Sequence, residues 1–79
     1  MKYFYAIMDK NGDFIQATKE DSKEIKISFT NDINSSRLYT SEEAEDFITK
    51  LDSTKWESEN FFSIMARKMT DEEYNGKGK

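Results

Sequence analysis

Between Arg37 and Leu51 the chain changes its hydrophobic period. Leu38 and Tyr39 form a short β-prone run. Ala44, Phe47, Ile48 and Leu51 then recur at i, i+3, i+4 and i+7, which places them on one face of a helix. Thr40 and Glu43, three residues apart at the entry, spell a capping box: the hydroxyl accepts the amide of residue 43 while the carboxylate accepts the amide of residue 40. The spacing predicts a helix from about Ser41 to Leu51.

The flanking segments read as strands. Lys2 to Met8 is dense in aromatic and branched side chains, and Phe14 to Thr18 is its return strand. Between them Asp9-Lys10-Asn11-Gly12-Asp13 supplies, through Asn-Gly, the positive φ that a tight turn needs. Lys19 to Glu24 is polar throughout and reads as a loop. Ile25-Lys26-Ile27-Ser28-Phe29 alternates strictly, as a half-buried third strand does. Thr30 to Ser36 is rich in turn residues, a loop with room for one helical turn. Asp52 to Asn60 is a polar connection around Trp56, which reads as a plug for the end of the core. Phe61 to Met69 is the fourth strand. Thr70-Asp71-Glu72-Glu73 repeats the capping-box spelling, and Asn75 to Lys79 reads as a disordered tail.

The order β-β-β-α-β predicts an α+β fold: an antiparallel sheet of about four strands with one amphipathic helix on one face. Residues 1–69 form the single domain, and 70–79 a short helical turn or tail. Phe4, Ala6 and Met8, paired with Phe62, Ile64 and Ala66, are expected on the helix side, because alanine leaves room for a helix. Tyr3, Tyr5, Ile7, Phe61 and Met65 are then expected on a second face, open to solvent or to a partner.

Composition narrows the chemistry. A chain of 79 residues buries only about 60% of its unfolded surface, so its stability margin is thin. It has neither Cys nor His, which removes disulfides, the usual zinc ligands and the commonest nucleophile–base pairs. Its three glycines form no phosphate-binding loop. The apolar N-terminal run stops at Asp9 and is too short for a signal peptide or a membrane span. These features point away from catalysis and bound cofactors, and toward a cytoplasmic protein. The net charge is −4, and −6 without Lys77 and Lys79, which disfavours direct binding to nucleic acid.

Three candidate sites remain. Asp9 to Glu20 is similar to the twelve-residue calcium loop of EF-hand proteins, with Asp9, Asn11, Asp13 and Glu20 at the first, third, fifth and twelfth positions. Phe14 stands where that loop needs glycine, and Gln16 where it needs an apolar residue. A hairpin turn accounts for the same residues, so no metal site is expected. Glu42, Glu43, Glu45 and Asp46 crowd the first turns of the helix. Carboxylates there suit the helix dipole, and with Asp71, Glu72 and Glu73 they also offer a row of charges resembling phosphates. The aromatic set Tyr3, Tyr5 and Phe61 is a candidate interface, since such side chains anchor protein contacts.

The order of elements resembles small accessory proteins of bacteriophages and prophages of Gram-positive bacteria. The resemblance rests on the strand ending in Asn11-Gly12, the Phe29–Ile33 segment, the helix entry Leu38–Ala44 and the last apolar strand. It implies a non-catalytic factor that binds and inhibits or modulates a host protein, for example a CRISPR nuclease or another nucleic-acid enzyme. The class has no shared site, so the resemblance assigns no role to any residue. The expected function is therefore an acidic inhibitor acting in a bacterial cytoplasm through Glu42, Glu43, Glu45, Asp46, Tyr3, Tyr5 and Phe61. A self-associating homodimer through Tyr3, Tyr5 and Phe61 is the alternative, and a calcium-binding module the lesser one.

Overall fold

The computed structural model describes residues 2–21 and 24–77. Four strands, β1 (Tyr3–Asp9), β2 (Phe14–Glu20), β3 (Ile25–Thr30) and β4 (Phe61–Lys68), form an antiparallel sheet in the order β3-β2-β1-β4. Helix α1 (Ser41–Lys50) and a terminal helix α2 (Asp71–Lys77) complete an α+β fold. Short 3₁₀ turns lie at Ile33–Ser35, Leu51–Ser53 and Ser58–Asn60. The expected tail residues Asn75 to Lys77 belong to α2, and Gly78 and Lys79 lie outside the described residues.

The sheet is two ladders that meet at a narrow waist. β1 pairs with β4 from Tyr3↔Lys68 to Asp9↔Phe61, with a bulge at Phe4/Tyr5. β2 pairs with β3 from Phe14↔Thr30 to Glu20↔Ile25, with a bulge between Ile15 and Ala17. β1 and β2, although joined by a short turn, share only Met8↔Phe14. Where they part, the stretch just before α1 fills the gap. Tyr5 and Tyr39 exchange backbone hydrogen bonds of 2.7 and 2.8 Å, and the Arg37 amide donates to the Ile15 carbonyl at 2.9 Å. The β-prone Leu38-Tyr39 run thus serves as a wedge that satisfies strand edges β1 and β2 no longer offer each other.

The turn at 9–13 is closed by Gly12 N–H to the Asp9 carbonyl at 3.0 Å and Asp9 N–H to the Asp13 carbonyl at 2.8 Å. Among the described residues positive φ falls on Gly12 alone, at 86°, where an added Cβ would meet backbone strain rather than a neighbour.

Helix α1 begins as its sequence spells. Thr40 Oγ1 accepts from the Glu43 amide at 3.1 Å, and Glu43 Oε1 accepts from the Thr40 amide at 2.9 Å. Ala44 and Phe47 point inward, with Leu51 following in the 3₁₀ turn that tightens the helix end. They join Ile7, Ile15, Ile25, Tyr39 and Phe61 in one core, against which Tyr5, Ile27, Phe29, Ile48 and Trp56 pack.

This core reverses the expected faces of β1 and β4. Tyr5, Ile7 and Phe61 lie on the α1 side, and Phe61 is only 7% exposed. Of the residues matched in the sequence, Ala6↔Ile64 and Met8↔Phe62 pair, whereas Phe4 pairs with Arg67 because the register shifts past Ala66; and those residues belong to the opposite face. The small residue that lets helix and sheet approach is Ala44 on the helix, not an alanine on the strands. Nor is the second face bare. Phe4, Ala6 and Met69 are also buried. The Arg67 guanidinium stands 4.8 Å over the Phe4 ring, and the turn at Ile33 and Asn34 lies with Leu38 beside Ala66 and Arg67 around a small open cavity of about 110 Å³.

Candidate interaction surface

The four acidic residues of α1 are all exposed. Glu43 reaches back to cap the helix, so its carboxylate is committed to the fold. Glu42, Glu45 and Asp46 stand at i, i+3 and i+4, which places them together on the face turned away from Ala44 and Phe47. The capping box fixes the backbone beneath them, and the buried side fixes the rotation of the helix. The result is a set of carboxylates presented on a rigid support.

The second acidic run behaves differently. Glu73 is the far half of another capping box, accepting the Thr70 amide at 3.0 Å while Thr70 Oγ1 accepts the Glu73 amide at 3.1 Å. Arg67 grips the same carboxylate with both terminal nitrogens, at 2.8 and 2.9 Å. That guanidinium fork, with the Thr70 amide behind it, lowers the Glu73 pKa from 4.5 to about 2, and Glu73 raises Arg67 in turn. Of the expected row, Glu73 is therefore neutralised within the chain, while Asp71 and Glu72 remain exposed.

The expected aromatic interface is not brought together at the surface. Phe61 lies in the core, stacked at 6.5 Å on Phe29 and edge-on to Trp56 at 6.1 Å. Tyr5 packs half-buried against the same core, and Tyr3 is half-buried at the start of β1. Both strand alternations in β1 are apolar, so the period of two could not show which one faces the helix. Large exposed hydrophobics are found instead at Phe62, Met65 and Tyr74, which are 48%, 58% and 48% exposed. Met65 was expected on the open face, whereas Phe62 was expected under the helix, and both sit on β4, a strand that ends the sheet.

Asp9 spends its carboxylate on the turn, where Oδ1 accepts the amides of Asn11 at 2.9 Å and Asp13 at 3.0 Å. Among the described residues no group of three acidic side chains is placed to hold a metal ion. Trp56 closes the end of the core as expected. Its indole Nε1 donates to the Ile25 carbonyl at 2.7 Å, and its ring meets Phe29 edge-on at 6.1 Å. Tyr39 is 4% exposed, and its hydroxyl has no hydrogen-bond partner among the described residues. Burial pushes that phenol above its ordinary value of 10.0, with Arg37, 5.2 Å over the ring, opposing the shift.

No protein-family model, curated protein or solved structure matches the chain. The fold and its surfaces define a small α+β protein with an acidic helix face and an apolar sheet edge. No described helix is long and apolar enough to cross a membrane.

Proposed function

We propose that this protein acts by binding: it docks the outer face of α1 on a basic surface of another protein and so inhibits or modulates it. A nucleic-acid-processing enzyme of a bacterial host is the partner class that fits, because such enzymes carry basic grooves that carboxylates complement. The observation that carries this reading is the joint exposure of Glu42, Glu45 and Asp46 on one face of a helix anchored from behind. The resemblance to accessory proteins of Gram-positive phages supports the same reading, with counter-defence or host takeover as its setting.

Capture from a Gram-positive lysate, with mass spectrometry of what is retained, tests it. The wild-type chain should enrich a basic nucleic-acid-binding protein, in a salt-sensitive manner. The triple variant Glu42→Lys, Glu45→Lys, Asp46→Lys should lose that protein while keeping its circular dichroism spectrum. Equal retention by both chains would refute the reading.

Self-association is the second reading, and the apolar end of the sheet favours it over the aromatic set expected from the sequence.

A further inference from the structure

The turn at 9–13 joins β1 to β2, and their one shared rung, Met8↔Phe14, lies beside it. At its tip stand Asn11 and Gly12, both exposed. The Asn11 backbone amide is held by Asp9 Oδ1, but the Asn11 carboxamide makes no hydrogen bond among the described residues. Space around Gly12 is open, since a Cβ built there meets nothing within 4 Å. These are the conditions for a reaction of the chain with itself. The nitrogen that follows an asparagine can close a five-membered ring on the carboxamide carbon, and glycine leaves that nitrogen unhindered.

We propose that Asn11 is a self-modification site, where the chain passes through a succinimide to isoaspartate with water as the only co-reactant. The Gly12 nitrogen gives its proton to solvent and forms a bond to Asn11 Cγ. The Cγ–Nδ2 bond breaks, and the nitrogen leaves as ammonia with a proton from water. Water then adds to one ring carbonyl. Opening on one side gives aspartate; opening on the other sends the main chain through Cβ and Cγ. No electron is gained or lost. The Gly12 N–H first has to leave the Asp9 carbonyl, which it meets at 3.0 Å, so the step waits on local opening of the turn.

Isoaspartate lengthens the main chain by one methylene at a point where length is fixed on both sides. Asp9 Oδ1 holds the amides of Asn11 at 2.9 Å and Asp13 at 3.0 Å, and the inserted carbon drives those two amides apart. The new carboxylate stands between Asp9 and Asp13 and takes the net charge of −4 one unit further negative. The turn and the rung beside it are the direct link between the two ladders, so the reaction loosens β2 and β3 from β1. Asn75-Gly76 is the other such pair, but it lies in α2, away from this join. The reaction needs no partner, so its outcome is separate from that of the docking face on α1.

Incubation of the full chain in mildly alkaline buffer tests the site, with Asn75→Gln introduced so that one Asn-Gly pair remains. Ion exchange should show a more acidic form accumulating, peptide mapping should place the change at residue 11, and isoaspartyl methyltransferase should label it. Asn11→Gln, which would need a six-membered ring, should slow the conversion at least about tenfold. Asp9→Ala frees the two amides and should quicken it about fivefold, the factor that about 1 kcal/mol makes in a rate. Both variants should keep the wild-type circular dichroism. In the isolated isoaspartyl form, amide exchange should show β2 and β3 losing protection. Asn11→Asp, which adds the charge without the methylene, should keep it. An Asn11 that stays intact while a free peptide of residues 9–13 converts, an Asp9→Ala chain no faster than its parent, or an isoaspartyl chain with unchanged protection would overturn the proposal.

Discussion

Trp56 ties the β2–β3 ladder to the rest of the molecule, and its removal should loosen that ladder first. β2 shares one paired position with β1. Further polar ties are the Arg37 amide to the Ile15 carbonyl, the Arg37 guanidinium to Thr18 at 3.0 Å, the Lys50–Glu20 ion pair at 2.9 Å, and the indole on the Ile25 carbonyl. The two side-chain ties at Thr18 and Glu20 are exposed, and such contacts contribute little. Trp56→Phe keeps a ring against Phe29 and Phe61 but loses the 2.7 Å hydrogen bond, at about 1 kcal/mol. Trp56→Ala also loses the packing. A buried Trp→Ala change costs about 3–5 kcal/mol, and because Trp56 is half-buried the lower figure applies. Against a total of roughly 4–12 kcal/mol for a chain this size, the alanine variant stands near the limit of folding. Urea titration followed by far-ultraviolet circular dichroism measures both changes. Native-state amide exchange locates them: β2 and β3 should lose protection in Trp56→Phe while β1 and β4 keep theirs. A phenylalanine variant within about 0.3 kcal/mol of wild type, or protection lost evenly across all four strands, would refute this account of the waist.

Tyr39→Phe should leave stability unchanged or raise it by up to about 1 kcal/mol, because the hydroxyl it removes is buried without a partner among the described residues; a clear loss in thermal midpoint would show that the hydroxyl is satisfied. Thr40→Ala should cost about 1 kcal/mol, roughly 4–8 °C in midpoint, through loss of the α1 cap. The equivalent change at Thr70 should free α2 locally, visible in amide exchange of residues 71–77, with a smaller global effect. Glu73, depressed from 4.5 to about 2 by Arg67, stabilises its tether fully above pH 4.5, and that contribution disappears as pH falls toward 2. The side-chain chemical shifts of Arg67, its partner, should follow this window in the wild type, and Glu73→Gln should abolish that dependence.

The elements with local chemistry were legible in the chain. Both capping boxes lie where their threonines and glutamates spell them. The strand positions came from composition and alternation, and the pairing of β1 with β4 from their matching apolar residues, although the bulge that sets Phe4 against Arg67 left no local signal. The orientation of that pair was not legible, since Tyr5-Ile7 and Phe4-Ala6 are apolar in both phases and the choice depends on where α1 lands. The wedge at Arg37–Tyr39 was equally hidden: Leu38 and Tyr39 signal an extended run, but no local rule says that β1 and β2 will splay to admit it. α2 runs through Asn75 and Gly76 despite their poor helix propensity, because the Thr70 cap and the Arg67 fork hold its first turn. Of the candidate site, the acidic α1 face could be read from spacing alone, whereas Phe61 had the same signature whether buried or bare.

The waist also sets a timetable for the nascent polypeptide. β1 shares one rung with β2, and its long ladder is with β4, the last of these four strands to be made. At roughly 5–20 residues per second, the aromatic strand β1 waits several seconds on the ribosome before its companion exists. Productive assembly is thus confined to the period after β4 emerges. Until then Phe4, buried in the finished fold, lacks the strand it pairs with.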